Sequence, residues 1–69
     1  MSQYEIKIWE TTNKNKIVFQ EYKDFDGNQD AIKFLNETAL ELQSINKRPI
    51  KGEIKHDHLS YTMSIYNSD

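Results

Sequence analysis

With 69 residues, a net charge of −2 and no cysteine, the chain holds one small domain, and at this mass folding buries only about 60% of the surface the unfolded chain exposes. That leaves one thin core, rules out disulfide and thiolate sites, and argues against general electrostatic attraction to nucleic acid or acidic membranes. No apolar run approaches the roughly 20 residues of a membrane-spanning helix.

The opening MSQYEIKIWE lacks the basic segment and apolar block of a signal peptide. The expectation is a complete cytoplasmic protein with residues 1–69 as a single α+β domain. Within that opening Tyr4, Ile6 and Ile8 alternate with Gln3, Glu5, Lys7 and Trp9, the period of a half-buried strand. TTNKN, residues 11–15, is polar and turn-prone. KIVFQEYKDF, residues 16–25, is a second strand. A hairpin about the polar loop puts Ile8 near Phe19 and Trp9 near Val18, with Ile17 and Phe19 on the inward face. Strict alternation then turns Glu21 inward and Tyr22 outward, whereas a β-bulge near Gln20–Glu21 buries Tyr22. The residues leave both open.

Asp26 to Asn46 is the one segment long and periodic enough for a helix. Ala31, Phe34, Leu35, Thr38, Ala39, Leu42 and Ile45 recur at the spacing of one helical face. Asp26 or Asn28 is the expected cap, and Asp26 with Gln29 makes a capping box. Asn46 suits a left-handed exit, Lys47 and Arg48 suit the negative end of the dipole, and Pro49 stops the helix. Leu40 lies nearly opposite the stripe, among Lys33, Asn36 and Glu37.

After the helix, PIKGEIKH directs Ile50, Gly52 and Ile54 inward, and Gly52 lets the helix approach the sheet. His56-Asp57-His58 makes a tight turn. LSYTMSIY then alternates Leu59, Tyr61, Met63 and Ile65 inward with Ser60, Thr62, Ser64 and Tyr66 outward. The elements run ββαββ. Two layers, one helix packed on a four-stranded sheet, satisfy every apolar face. A crossover through the helix sets the third strand parallel to the second. Pairing the first and fourth strands at the centre gives the expected order 2-1-4-3, and an all-antiparallel order such as 2-1-3-4 is the alternative.

YEIKI near the start, GEIK at 52–55 and YTMSI at 61–65 resemble, in pattern and spacing, the β-grasp immunoglobulin-binding domains of bacterial proteins L and G. The resemblance implies the β-grasp-like fold. It also implies a mode of contact in which the exposed second strand and the outer helix surface meet a protein partner. Immunoglobulin binding is not carried over, because those domains are repeats on secreted, wall-anchored proteins, and this sequence shows no signal, repeat or anchor.

His56-Asp57-His58 is the only cluster with ligand chemistry; on an extended backbone His56 and His58 could share a metal, but two ligands are too few for a closed zinc site. They are read as a polar hairpin turn, with no metal and no cofactor. No Ser/His/acid spacing or Gly-rich phosphate loop is present, so the expectation is a protein without enzymatic activity.

The uncovered sheet face is expected to gather Trp9, Val18 and Tyr66, with Lys7, Gln20, Lys51, Lys55, Thr62 and Ser64 around them. Three readings fit: cross-strand support, a protein contact anchored by aromatics, or base stacking on an RNA-binding sheet. The second strand, an edge in the expected order, offers Tyr22 beside these residues, with Glu21 and Lys23 as edge protection. A partner strand adding to that edge, or a homodimer through it, is a further expectation.

The candidate partner-binding residues are therefore Lys7, Trp9, Val18, Gln20, Tyr22 and Tyr66, with Lys33, Glu37, Leu40 and Glu41 on the helix as a second surface. The expected function is a small cytoplasmic protein-binding module. Its setting would be a phage or mobile-element inhibitor of a host or antiviral-defence protein, since frequent Asn, Lys and Ile fit an AT-rich genome. Single-stranded RNA binding through the open face is the alternative.

Overall fold

The computed structural model describes residues 2–66. Strands β1 (Ser2–Glu10) and β2 (Asn13–Phe25) form a hairpin. Helix α1 (Asn28–Asn46) follows, then strands β3 (Ile50–His56) and β4 (Leu59–Ile65). One helix on a four-stranded sheet is the α+β class that the alternation and the helical stripe imply.

The sheet order is β2-β1-β3-β4, with every neighbouring pair antiparallel. This corrects the expected 2-1-4-3: β1 pairs with β3, and β4 is an outer strand. Both orders run β3 parallel to β2, but the observed crossover passes over one strand and the expected one over two, a difference of about 4.8 Å. The tightest packing also decides for β3. A Cβ at Gly52 would lie 3.0 Å from Leu35 Cδ1 and 3.5 Å from Ile8 Cγ1, so the bare backbone of β3 belongs under the helix at the sheet centre. Ile50 and Ile54 flank it, fully buried, whereas the bulkier Tyr61 and Met63 of β4 are half-buried at the rim.

The core is Tyr4, Ile6 and Ile8 of β1 and Ile50 and Ile54 of β3, closed by Ala31, Leu35 and Ala39 of α1. These helical residues recur every four positions, and their small–large–small sequence lets the helix sit low on the sheet. Full burial of a side chain such as Leu35 contributes roughly 1.5–3 kcal/mol. Ile45 stays 69% exposed, a correction to the stripe: it lies about 80° round the helix from Leu35, whereas Asn46 lies only about 20° away. Asn46 is accordingly half-buried, and its Nδ2 donates to the Leu42 carbonyl at 2.8 Å.

The helix ends also differ from expectation. Gly27 is the N-cap, in extended backbone, and no side chain caps the first turn. Asp26 precedes it, and Asn28 instead accepts a hydrogen bond from the Tyr4 hydroxyl at 2.6 Å. A tertiary tether to β1 thus occupies the side chain that would have capped. At the exit Lys47, not Asn46, takes the left-handed conformation (φ 60°), and its N–H donates to the Gln43 carbonyl.

In the β1–β2 hairpin Ile8 faces Phe19 as expected, but the register then steps so that Trp9 faces Ile17. The extra residue is Val18, which is half-buried against the core. The bulge therefore lies at Val18 and not at Gln20–Glu21, and past it the alternation is strict. Tyr22 faces Glu5 and is 61% exposed, while Glu21 faces Ile6 and Lys23 faces Tyr4 on the helix side. Lys23 Nζ stands 5.3 Å over the Phe34 ring. A bulge and inward charges are devices that keep an edge strand from pairing with another chain, so β2 is a guarded edge.

Candidate functional site

Because the helix covers one side only, the alternate residues of all four strands form an open face. Register fixes its rows. Ile17, Trp9, Lys51 and Ser64 lie side by side across β2, β1, β3 and β4. Gln20, Lys7, Glu53 and Thr62 form the next row, followed by Tyr22, Glu5, Lys55 and Ser60. Ile17, Trp9 and Lys51 of the first row and Lys7, Glu53 and Thr62 of the second, with Lys55 and Asn15, line a trough of about 620 Å³. Its apolar floor is Trp9 and Ile17. Three lysines, Lys7, Lys51 and Lys55, face one carboxylate, Glu53, around it. The local charge is thus positive on a chain of net charge −2. Lys55 Nζ lies 3.7 Å from Glu53 Oε1, which leaves Lys7 and Lys51 as the more available cations of the trough.

The candidates from sequence divide. Lys7, Trp9, Gln20 and Tyr22 share the open face. Val18 does not, because the bulge turns it to the core. Tyr66 is exposed beyond the end of β4, and β3 stands between β4 and β1, so Tyr66 and Trp9 are not neighbours as the order 2-1-4-3 implied. Lys33, Glu37, Leu40 and Glu41 are exposed on the outer helix surface, with Leu40 62% exposed. They sit on the opposite side of the molecule from the trough.

Asn15, Ile17 and Glu53 are trough residues named neither among the candidates nor around them. The signal for Ile17 was the run Ile17-Val18-Phe19: three consecutive apolar residues cannot keep period-two alternation, so the chain must slip there. Glu10 is a second surprise. It is 5% exposed on the helix side, and its carboxylate lies 3.4 Å from Lys16 Nζ across the hairpin.

At the β3–β4 turn, His56 Nδ1 donates to the Gln3 carbonyl at 2.9 Å, and Nε2 lies 3.3 Å from Asp57 Oδ2. The ring packs on Tyr4 with centroids 4.3 Å apart. Nδ1 thus has a protein partner, while His58 is exposed. Among the described residues no group of three or more His, Asp or Glu gathers as a metal site, and no helix is long and apolar enough to cross a membrane. Compared with known proteins, the chain matches no family model, no curated protein and no solved structure.

Proposed function

We propose that the protein is a non-enzymatic binding module that holds an acidic segment or surface of a larger protein in the open-face trough. The observation that carries this reading is the pairing of Trp9 and Ile17 on the floor with Lys7, Lys51 and Lys55 around them. Aromatic anchors supply most of the energy of many protein contacts, and charges of one sign at the rim select and steer a partner of the other. The setting we propose is an inhibitor carried by a phage or mobile element, acting in the host cytoplasm on a host or antiviral-defence protein. It rests on small size, acidic net charge and an Asn-, Lys- and Ile-rich composition.

The test is capture of partners from a host lysate by the immobilised protein and its variants, followed by calorimetry on what is captured. Trp9→Ala weakens binding by about 1–3 kcal/mol, as loss of a central aromatic anchor does. Lys51→Glu also weakens it, and Leu40→Ala on the helix leaves it intact. If folded Trp9→Ala binds normally and Leu40→Ala or Glu37→Ala does not, the contact is the helix surface and the trough reading fails. The lysines around Trp9 favour one second reading, single-stranded RNA stacked on the indole. Capture of RNA that is lost at moderate salt would replace the protein reading with that one.

A further inference from the structure

The corrected strand order makes β4 an edge, and β4 carries none of the protection that β2 carries. Its sequence, LSYTMSI, has no charge, proline or glycine, and its register on β3 runs without a shift from Ile50↔Ile65 to His56↔Leu59. Leu59, Tyr61, Met63 and Ile65 pack against the core yet are only half-buried. An unbulged, neutral edge with an incompletely covered apolar rim is the kind that pairs with another strand.

The sequence of β4 also says which strand. About Thr62 it is a chemical palindrome: Ser60 mirrors Ser64, Tyr61 mirrors Met63, and Leu59 mirrors Ile65. A foreign strand gains nothing from that symmetry. Only an antiparallel pairing of β4 with itself uses it, because an isologous twofold contact sets each residue against its mirror position. We propose that the protein forms a homodimer through β4, with the twofold axis at Thr62 and perpendicular to the sheet.

In this dimer Thr62 meets the partner's Thr62 and Ser60 meets the partner's Ser64, both favourable cross-strand hydroxyl pairs. On the helix side Tyr61 meets the partner's Met63, a sulfur–aromatic contact, and Leu59 meets the partner's Ile65. The two sheets become one of eight strands, with both helices on one side and both Trp9 troughs on the other. Mirror positions have the same parity, so the apolar rims join and the polar rows join. One seven-residue strand pair is small beside a standard interface, so dissociation is expected at about 10–100 µM.

Sedimentation velocity across a range of concentrations that brackets those values reads the assembly directly. The native chain should shift from monomer to dimer as concentration rises. The decisive variant is Ser60→Glu/Ser64→Glu. Within one chain Ser60 lies opposite Lys55 and Ser64 opposite Lys51, so the new carboxylates gain cationic neighbours and the monomer keeps its fold. Across the twofold they face each other twice, and dimerisation should weaken at least tenfold.

A second readout does not depend on that variant folding. In a sample mixing isotope-labelled and unlabelled native protein, intermolecular NMR contacts should connect Tyr61 to Met63 and Leu59 to Ile65. A monomer at all concentrations overturns the proposal. So does a dimer whose intermolecular contacts lie on β2, or one that a folded Ser60→Glu/Ser64→Glu variant leaves unchanged.

Discussion

On the covered face of the sheet, Tyr4, Ile6, Ile8, Ile50 and Ile54 are shut from solvent under Ala31, Leu35 and Ala39; on the open face, Lys7, Trp9, Lys51 and Glu53 of the same two central strands surround a trough. Each strand thus contributes to both faces in alternation. The covered face is closely packed, and small changes of volume there must be felt through the whole fold. The open face makes few demands on packing, so its residues can change without unfolding the chain. Stability and binding should therefore separate by parity along β1 and β3.

The strongest break of this division is Leu35→Ala. Leu35 is fully buried at the centre of the helical stripe, and truncation of such a residue costs about 2–5 kcal/mol. Small domains have little more than about 5 kcal/mol in total, so the variant should be largely unfolded at 37 °C by circular dichroism. A urea-unfolding loss under about 1 kcal/mol would mean that the helix is not seated over Ile8 and Gly52.

Gly52→Val probes the same contact from below. The added Cβ would meet Leu35 Cδ1 at 3.0 Å and Met63 Sδ at 3.2 Å, and the valine methyls would crowd it further. Overpacking of this kind costs about 1–3 kcal/mol. Combining Gly52→Val with Leu35→Ala should recover part of the loss, because the two changes share one space. Strict additivity of the two would show that they do not touch.

A smaller effect is expected of Tyr4→Phe. It keeps the ring that packs on Phe25 and His56 but deletes the hydroxyl that donates to Asn28 Oδ1 at 2.6 Å. The cost should be about 0.5–1.5 kcal/mol. Hydrogen exchange should quicken first in the initial turn of α1, since no side chain caps it.

The division between faces was legible wherever alternation was unbroken. Tyr4–Trp9, Ile50–Lys55 and Leu59–Ile65 each put the expected residues on the expected side, and Gly52 had its role as the point of close approach. Sequence failed where a single residue could satisfy two patterns. Ile17, Val18 and Phe19 are all apolar, and only the register against Trp9 reveals that Val18 is the extra residue and Ile17 a trough residue. Asn28 could cap the helix or bind Tyr4, and the tertiary bond won. The strand order rested on a choice no local pattern makes, since β3 and β4 both alternate cleanly. What separates them is volume, because only β3, with Gly52, fits beneath Leu35. That choice then displaced Tyr66 from the trough.

The smallest stability effect, and the sharpest test of the comparison, belongs to Lys55→Gln. Lys55 is on the open face, and its only described ion pair is with Glu53 at 3.7 Å, with side chains 55% and 27% exposed. Exposed pairs of this kind contribute about 0–0.5 kcal/mol, and for a domain of this size that is a shift in Tm of under about 4 °C. Binding responds differently under the proposed function. Removing Lys55 takes one cation from the trough and frees the Glu53 carboxylate, so an acidic partner meets both a lost attraction and a new repulsion. The association rate should fall at low salt, and the difference from the native chain should shrink as salt screens the rim. Unfolding curves and stopped-flow association on the same preparations read the two effects together. A Tm loss as large as that of Tyr4→Phe, or an association rate that does not change at low salt, would show that the open face is not the separate binding surface its charge pattern describes.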